Sequence, residues 1–540
     1  MEVKIDLIDL VIILGYLIFI VGLGCWHYVK AYFNRTDVVT NSKEYFLAGG
    51  TLKWPVIGLA LFATNISTIH MVALAQAGYE DGLLNGNYEV MSGLVLIILS
   101  IFFAPFFLRS KVATLPDFLE LRFSRASRDW VAGLSIATAI LVHIGFSLVT
   151  GAIVMEGMFG FDRTFSVLVI VLLTGLYTIV GGLRAVVITE SLQAIILIVG
   201  ALGITIAAYD QIGSWDQFTG NVDVQNLDML RSGDESHLPW YAVFLGYPVI
   251  GIWYWCTDQT IVQRVLGSKD VHHAQVGALF AGFLKMLPMF IFVLPGLFAV
   301  ALVNMGKFDN TIFESKDTLS YLIRNLLPTG ARGIMAAALL AALMSSVSGA
   351  LNSISTLFTY DLYKRFRPDT SDKKMVVIGR WAAFLAMITS VLWTFLIDGK
   401  EGIFNEMVGI IVLISPPLTT VFLFGVFWEK ASAFASKWTL WLGTLAGVLL
   451  FLYMRLDEML GWPVWETKTL MDGVYLTIVC SIVMIVCSYI RPHTHTNESK
   501  RLTWESPLEP FKEKGWKGIG NYKFLSVMLL AIMILIYIIF

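Results

Sequence analysis

The second apolar run of the chain is KWPVIGLALFATNISTIHMVALAQAG, residues 53–78. It is long enough to cross a bilayer of about 30 Å, but the polar string from Ala63 to Thr68 interrupts its middle. A helix that only anchors a protein needs no such break. Transporters built from internal repeats use discontinuous helices, because the freed carbonyls can coordinate a cation. The alternative is that Asn65 and Ser67 only join neighbouring helices by hydrogen bonds.

A second interruption, at Gly246, Pro248 and Gly251, lies in the seventh apolar run, five runs after the first. This spacing predicts that spans two to six and seven to eleven form two inverted repeats. In the ninth run, residues 341–349 read AALMSSVSG. Neutral hydroxyls and carbonyls suit sodium, a hard cation that must also be released. By itself, a face rich in serine and alanine is also typical of close helix packing.

Apolar runs of this length recur along the whole chain. Hydrophobic residues make up 57% of the 540 residues and charged residues 14%, whereas soluble domains carry about 25% charged residues. The sequence therefore predicts an all-α polytopic membrane protein. It excludes a soluble enzyme, a disordered chain and, with a net charge of −2, a nucleic-acid binder. We expect about fourteen transmembrane helices, at residues 5–28, 53–78, 87–108, 130–159, 164–181, 186–209, 239–257, 275–304, 331–363, 377–397, 404–428, 437–455, 473–490 and 522–540.

Basic residues in the loops predict the orientation. Alternate loops on one side hold 23 Lys and Arg residues, Arg264 among them, and the loops on the other side hold 9. The positive-inside rule places the richer set in the cytoplasm, so both termini are extracytoplasmic. The predicted outer loops contain no Asn-x-Ser/Thr sequence, which fits a bacterial inner membrane. We therefore expect a multi-pass protein of the cell (inner or plasma) membrane.

Ionisable side chains inside the predicted spans are a further signal, since each costs about 2.5–3.5 kcal/mol to insert, and four of them are the clearest. They are His70, His143, Glu190 and Lys285. Lys285 lies deep in its span, which favours a functional role over a side chain that reaches the interface. Glu89 is nearer the outer end of its span, where a carboxylate can also simply contact water.

Several motifs resemble those of a known family and occur in the same order. They are YFLAGG (45–50), ATNIS (63–67), GGLRAV (181–186), WYWCTDQ (253–259) and the serines of span nine followed by LNS (351–353). These motifs run through nearly the whole chain and resemble the solute:sodium symporter family, in particular its sodium/glucose cotransporters. The resemblance implies a leucine-transporter-like core of ten helices, arranged as five plus five inverted repeats.

The same resemblance implies four parts of the chain. Residues 1–52 would form a peripheral first helix and a cytoplasmic loop, and residues 53–209 the first repeat (core helices 1–5). Residues 239–428 would form the second repeat (core helices 6–10), and residues 437–540 three peripheral C-terminal helices.

Matching motif to motif implies a sodium site and a path beneath it. The carbonyls of Ala63, Ile66 and Ala342 and the hydroxyls of Ser345 and Ser346 would bind the ion. Glu190 and Ser348 would belong to an exit path or to a second sodium site, although Gly349 lacks the hydroxyl that such a second site uses in relatives. Sodium is the only metal expected, as the coupling ion, and no other cofactor is implied.

Matching also implies a substrate site. Its substrate-binding residues would be Asn65, His70, Glu89, Ser92, Lys285 and Trp255. Tyr254 and Phe404 would act as gates. His143 would either support the site from behind or touch the ligand itself, and the sequence leaves both roles open. Two positions depart from the sugar carriers, because Val408 and Gly251 replace side chains that could hydrogen-bond a hydroxyl group.

The function that follows is sodium-coupled symport of a sugar or sugar-like solute, with a hexose such as glucose or galactose favoured, by alternating access. The alternatives are symport of myo-inositol, an amino or acidic sugar or a monocarboxylate, proton coupling through His70, His143 or Glu190, and a sensor that does not transport. We expect no enzymatic activity. The expected partners are the solute, sodium and the lipid bilayer, with no nucleic acid and no obligate protein partner.

Overall fold

The computed structural model describes residues 6–33, 41–233, 236–309, 314–396, 403–454, 456, 467–492 and 495–540. Over these residues the backbone is helical or lies in turns and loops, and it forms no sheet. Its only extended pairings there are two isolated bridges, Leu52 with Ser268 and Arg231 with Pro239. The all-α class predicted from the sequence is confirmed.

The principal helices are numbered here in chain order. They are α1 (Leu7–Phe33), α2 (Trp54–Asn65), α3 (Thr68–Asp81), α4 (Gly86–Ile98), α5 (Arg125–Thr138), α6 (Ser147–Phe159), α7 (Arg163–Ile212), α8 (Trp240–Ile252), α9 (Gln259–Leu266), α10 (Val271–Leu284), α11 (Leu294–Asn304), α12 (Ala331–Leu357), α13 (Asp372–Thr394), α14 (Ile403–Phe427), α15 (Ala433–Met454), α16 (Thr469–Ile490) and α17 (Tyr522–Ile539). Shorter helices include Ser42–Leu47, Ala104–Ser110, Leu115–Arg122, Trp215–Thr219, Thr318–Leu326, Lys364–Phe366 and Asn497–Lys500.

Wide π-helical turns, in which the backbone hydrogen bonds span one residue more than in an α-helix, extend or join several of these helices. They are Leu99–Phe103, Ala139–Phe146, Trp253–Thr257, Met289–Val293 and Phe358–Tyr363. Such turns are rare and occur frequently at functional sites. Two of them, at the ends of α5 and α8, contribute to the cavity described below.

The first predicted break is confirmed. Helix α2 ends at Asn65 and α3 begins at Thr68, and Ile66 and Ser67 between them have extended backbones. The second break was predicted at the wrong residues. Helix α8 runs through Pro248, because packed neighbours can satisfy the backbone group that a proline frees in a membrane helix. The chain leaves the helix only at Asp258 (φ −86°, ψ 123°).

The predicted number of spans is only partly supported. Eleven helical runs in the described ranges are long and apolar enough to cross a membrane. The longest, Arg163–Ile212, contains 50 residues and includes two predicted spans. They meet at Gly182, where φ is 65° and ψ −166°, a backbone conformation that favours glycine. The count of fourteen is therefore not confirmed.

Burial separates a central helix from peripheral ones. In the most apolar 18-residue stretch of the run that contains α12, 94% is buried inside the protein. The corresponding buried share is 22% in α1, 33% in α15 and 28% in both α16 and α17. The peripheral helices present apolar side chains to the lipid. Helix α12 packs along α7 and also contacts α2 and α9, so its serines lie in the centre of the molecule.

Candidate functional site

A central cavity lies beside the break between α2 and α3. It encloses about 990 Å³, a volume that includes the solvent space at its open mouth. Its walls come from the break, α3, α4, the π-helical turn after α5, α8 with its own π-helical turn, and α14. The lining includes Thr64, Asn65, Ser67, His70, Tyr88, Glu89, His143, Ser147, Tyr247, Gly251, Trp253, Tyr254, Trp255, Thr260, Lys285, Ser346, Met407, Val408 and Ile411.

A buried ion pair lines one wall of this cavity. The Lys285 ammonium group donates to the carboxylate of Glu89 and to Oδ1 of Asn65, at 2.6 Å from the latter. The Lys285 and Glu89 side chains are only 2% and 3% exposed. The structure thus joins three predicted substrate residues from α2, α4 and the end of α10 into one polar cluster.

Two helix ends stabilise the charges of this pair. Glu89 lies in the first turn of α4, and Lys285 is the C-cap residue of α10. The partial positive charge at a helix N-terminus favours a carboxylate, and the partial negative charge at a C-terminus favours an ammonium group. The local helix ends therefore explain how two ionised groups are held in an apolar span.

His70 is fixed at the break. Ser67 and His70 form a reciprocal cap at the start of α3, in which His70 Nδ1 lies 3.3 Å from the Ser67 backbone N and 3.1 Å from its Oγ. Such a cap satisfies backbone N–H groups that the start of α3 leaves without helical partners. The ring of His70 lines the cavity, as predicted for a substrate-binding residue.

Aromatic rings close another side of the cavity. The rings of Tyr254 and Trp255 meet edge to face, with centroids 5.2 Å apart and an angle of 82°. The Lys285 ammonium group lies 5.9 Å from the centroid of the Trp255 ring. Flat apolar surfaces beside hydrogen-bonding groups suit a ligand that has both C–H and O–H faces.

Neutral oxygens converge directly beside the break. Ser345 Oγ donates to the carbonyls of Ala63 (2.8 Å) and Ala342 (3.0 Å). Ser346 Oγ donates to the carbonyls of Thr64 (3.3 Å) and Ala342 (3.1 Å). Ile66, two residues after Thr64, has an extended backbone. Its carbonyl group is therefore not oriented along the helix axis as the carbonyls of α2 are.

Four of these oxygens, the carbonyls of Ala63 and Ala342 and the hydroxyls of Ser345 and Ser346, belong to residues predicted to bind sodium, and none of them titrates near neutral pH. Within the described residues, no group of three or more His, Cys, Asp and Glu side chains could hold a metal ion. The arrangement therefore fits a monovalent hard cation and not a transition metal. Ser346 belongs to both features, since it also lines the cavity.

A second buried ion pair lies below the oxygen cluster. The Arg264 guanidinium contacts both carboxylate oxygens of Glu190, and both side chains are fully buried. Ser348 donates to the carbonyl of Ser345 at 3.0 Å. A Cβ atom added to Gly349 would lie 2.6 Å from Nη2 of Arg264. The guanidinium therefore packs against the position where relatives were expected to carry an additional hydroxyl.

One predicted substrate-binding residue, Ser92, does not join the cavity. Ser92 is fully buried and donates to the carbonyl of Glu89 at 2.5 Å, but it does not line the cavity. Its hydroxyl stabilises the helix turn that carries Glu89. The Phe404 side chain lies outside the described residues, so its predicted gating role stays a prediction.

The sequence did not predict the roles of Asp258, Arg264 and Tyr247. Asp258 contacts His143, Arg264 pairs with Glu190, and Tyr247 lines the cavity. The placement of Arg264 in a cytoplasmic loop was wrong, because this residue lies in α9 and is fully buried. Residues 257–264 contain many polar side chains, and by hydropathy alone such a segment is interpreted as a loop.

Comparison with known proteins identifies similar transporters. A family model described as the sodium:solute symporter family matches residues 45–443. The sodium/glucose cotransporter 4 of Danio rerio is 32% identical over 542 residues, which cover 92% of this chain and 80% of that protein. The sodium/myo-inositol cotransporter 2 of Oryctolagus cuniculus is 32% identical, with coverages of 94% and 80%. The sodium/mannose cotransporter of Bos taurus is 30% identical, with coverages of 93% and 89%.

A solved structure shares the fold. A Na⁺-coupled sialic acid symporter in a substrate-bound outward-open state aligns with a TM-score of 0.77 at 21% identity, over 91% of this chain and 100% of the other. At this identity the likeness establishes the fold and not the substrate. The predicted family resemblance is confirmed, and so is the prediction that the chain is not an enzyme, since these relatives are cotransporters.

Proposed function

Because this chain belongs to the sodium:solute symporter family, we propose that it takes up a sugar or sugar-like solute, with a hexose such as glucose or galactose favoured, together with sodium by alternating access. One observation carries the proposal. The cavity that contains the Lys285–Glu89 pair shares Ser346 with the cluster of neutral oxygens. A solute and a sodium ion would therefore bind on two sides of the same break.

The charges of the cavity favour a neutral, hydroxyl-bearing solute. Among the described lining residues, the positive charge of Lys285 is neutralised by the carboxylate of Glu89. Lys285 therefore does not need a substrate carboxylate as its counter-ion. The pair still offers acceptor and donor atoms to hydroxyl groups, and Asn65 and His70 add further polar atoms. The printed names of the relatives, which specify glucose, myo-inositol and mannose, support this class of solute.

Coupling follows from the position of the cation site. Sodium bound between α2 and α12 would order the broken helix, and the ordered helix would place Asn65 for the solute. A ligand shifts a conformational equilibrium only by its differential affinity for the two states. One sodium ion that crosses 100 mV contributes about 2.3 kcal/mol, and a tenfold sodium gradient adds about 1.4 kcal/mol. Together they support an accumulation of several hundredfold per ion.

The proposal keeps the predicted organisation of the chain. Residues 53–209 and 239–428 would be the inverted repeats that rock against each other, with residues 1–52 and 437–540 at the periphery. Both termini would be extracytoplasmic in the cell membrane. Glu190 and Ser348 would lie on the inward path of sodium. Tyr254 and Phe404 would be gates.

The proposal is tested by uptake into proteoliposomes that contain the purified chain. The labelled panel is glucose, galactose, mannose, myo-inositol, an N-acetyl sugar and a monocarboxylate, with an inward gradient of sodium or potassium. Ser345→Ala removes the hydroxyl that lies 2.8 Å from the Ala63 carbonyl. Ser353→Ala is the matched control, because Ser353 is a buried serine two turns further along α12 whose hydroxyl has no hydrogen-bond partner.

We expect sodium-driven uptake of at least one neutral polyol, a strongly reduced apparent sodium affinity in Ser345→Ala, and a nearly normal one in Ser353→Ala. Uptake that follows a proton gradient and ignores sodium would reject the sodium site. Uptake of the monocarboxylate alone would reject the solute class.

A further inference from the structure

His143 lines the cavity beside a set of apolar residues. It belongs to the π-helical turn Ala139–Phe146, and its side chain is 13% exposed. Its ring is nearly parallel to that of Trp253, at an angle of 13° and a centroid distance of 6.4 Å. Its centroid also lies 6.0 Å from that of Tyr254. The histidine therefore lines the cavity beside the predicted aromatic gate.

Asp258 fixes the orientation of this ring. His143 Nε2 lies 2.7 Å from Asp258 Oδ2, and Asp258 Oδ1 accepts the backbone N–H of Thr260 at 2.6 Å. A carboxylate only accepts hydrogen bonds, so Nε2 carries the proton in this contact and, in the neutral ring, Nδ1 keeps a lone pair. Because Asp258 is the N-cap of α9, its carboxylate is itself held by the backbone.

The part of the lining that α14 contributes is apolar over the residues that the structure describes. On α14, the described residues that line the cavity are Met407, Val408 and Ile411, all apolar. On α8, Gly251 lines the cavity without a side chain. A solute hydroxyl directed at these four residues finds no side-chain acceptor on them, and the imidazole of His143, which lines the same cavity, can supply one.

We propose that His143 contacts the substrate directly, that its Nδ1 atom accepts a hydrogen bond from one substrate hydroxyl, and that Asp258 is the positioning residue that holds the ring for this contact. The proposal rests on the proposed function, since it assumes a hydroxyl-bearing solute. It chooses between the two roles that the sequence left open for His143, direct contact with the ligand and support from behind.

The test compares a transported polyol with analogues that each lack one hydroxyl group. The probe is the first neutral member of the panel that the wild-type chain takes up, together with its monodeoxy series. Transport KM is measured at saturating sodium for wild type and for His143→Phe, which keeps a flat ring beside Trp253 but has no acceptor atom. Val142→Ala is the matched control, because Val142 lines the cavity from the same π-helical turn without a polar atom.

For wild type, we expect that removal of one particular hydroxyl raises KM about tenfold, as for the loss of one hydrogen bond. In His143→Phe, the KM of the parent polyol should rise by a similar factor, and the same deoxy analogue should carry no further penalty. Val142→Ala should leave the ranking of the analogues as in wild type. If His143→Phe raises the KM of every analogue by the same factor and keeps the wild-type order of KM values, the proposed contact is wrong.

Asp258→Asn tests the positioning role. Asparagine caps a helix about as well as aspartate, so we expect α9 to be retained. The asparagine amide group can donate as well as accept a hydrogen bond, so it no longer determines which nitrogen of His143 carries the proton. We expect KM to rise severalfold and the discrimination among deoxy analogues to weaken, with kcat changed less. A fall in kcat at constant KM and constant discrimination would assign Asp258 to helix structure alone.

Failure of the two proposals can be distinguished. If the wild-type chain shows no sodium-driven uptake of any neutral polyol, the proposed function is rejected and this inference is rejected with it. Wild-type uptake can be normal while the KM penalty of His143→Phe simply adds to the penalty for each missing hydroxyl. In that case only the role of His143 is rejected.

Discussion

The Lys285–Glu89 pair offers a sharp test of how the cavity is held together. Both charged groups are buried and in contact, and the ammonium group also donates to Asn65. Lys285→Met leaves the Glu89 carboxylate buried without its counter-ion. Glu89→Leu leaves the Lys285 ammonium group buried without its counter-ion. The double variant Lys285→Met/Glu89→Leu removes both charges and keeps side chains of similar size.

The expected magnitudes follow from the burial of the pair. Removal of one partner of a buried ion pair costs about 3–5 kcal/mol, because the other charge is left uncompensated, whereas replacement of both by apolar groups is often neutral or stabilising. We therefore expect each single variant to lose about 3–5 kcal/mol in the free energy of unfolding. The double variant should lose less than either single variant.

The assay is reversible unfolding in mixed micelles with an increasing fraction of SDS, followed by tryptophan fluorescence, with uptake measured on the same preparations. We expect the double variant to be folded but inactive, since it no longer presents charged groups to a hydroxyl-bearing solute. A double variant whose loss equals the sum of the two single losses would show that the pair does not interact, and the reasoning would be wrong.

Two further predictions concern packing and the inner ion pair. Gly296→Ala would place Cβ 2.1 Å from the carbonyl oxygen of Ala75, so it should force α3 and α11 apart and lower the unfolding free energy by about 1–3 kcal/mol. The control is Gly203→Ala, whose Cβ would meet no described atom within 4 Å apart from its chain neighbours and its own helix backbone, so the same measurement should show no loss of unfolding free energy. Arg264→Lys keeps the charge but not the paired contact with Glu190, so it should unfold about 1–3 kcal/mol more easily. An unchanged unfolding midpoint for Arg264→Lys would contradict this account of the pair.

The helices were predictable because membrane insertion imposes a simple rule on sequence. A backbone that crosses hydrocarbon must satisfy its own hydrogen bonds, so long apolar runs become helices. The break at Ile66 and Ser67 was equally visible, since adjacent polar residues interrupt an apolar run. The second break was misplaced because proline and glycine do not by themselves end a packed membrane helix. The chain turns at Asp258, whose carboxylate can cap the next helix.

The partners of buried charges were not predictable from spacing. Glu89 and Lys285 were both expected in the substrate site, but their contact joins residues 196 positions apart. Arg264 was predicted in a loop because hydropathy counts a buried arginine as a polar residue, whatever its partner. Only the packing of α9 against α12, which no local pattern encodes, shows that this charge is inside the protein.

The broken helix brings the two predicted binding functions within three consecutive residues. The carbonyls of Ala63 and Thr64 accept hydrogen bonds from the serines of α12, while the side chain of Asn65 accepts one from Lys285 in the cavity. A rotation of this segment that opens the oxygen cluster must also move Asn65 relative to Lys285. Any sodium-induced gain in solute affinity must be matched by an equal solute-induced gain in sodium affinity, because coupling between sites is reciprocal. Equilibrium binding of each ligand with and without the other should therefore give one coupling factor, and Asn65→Ala should reduce that factor in both directions.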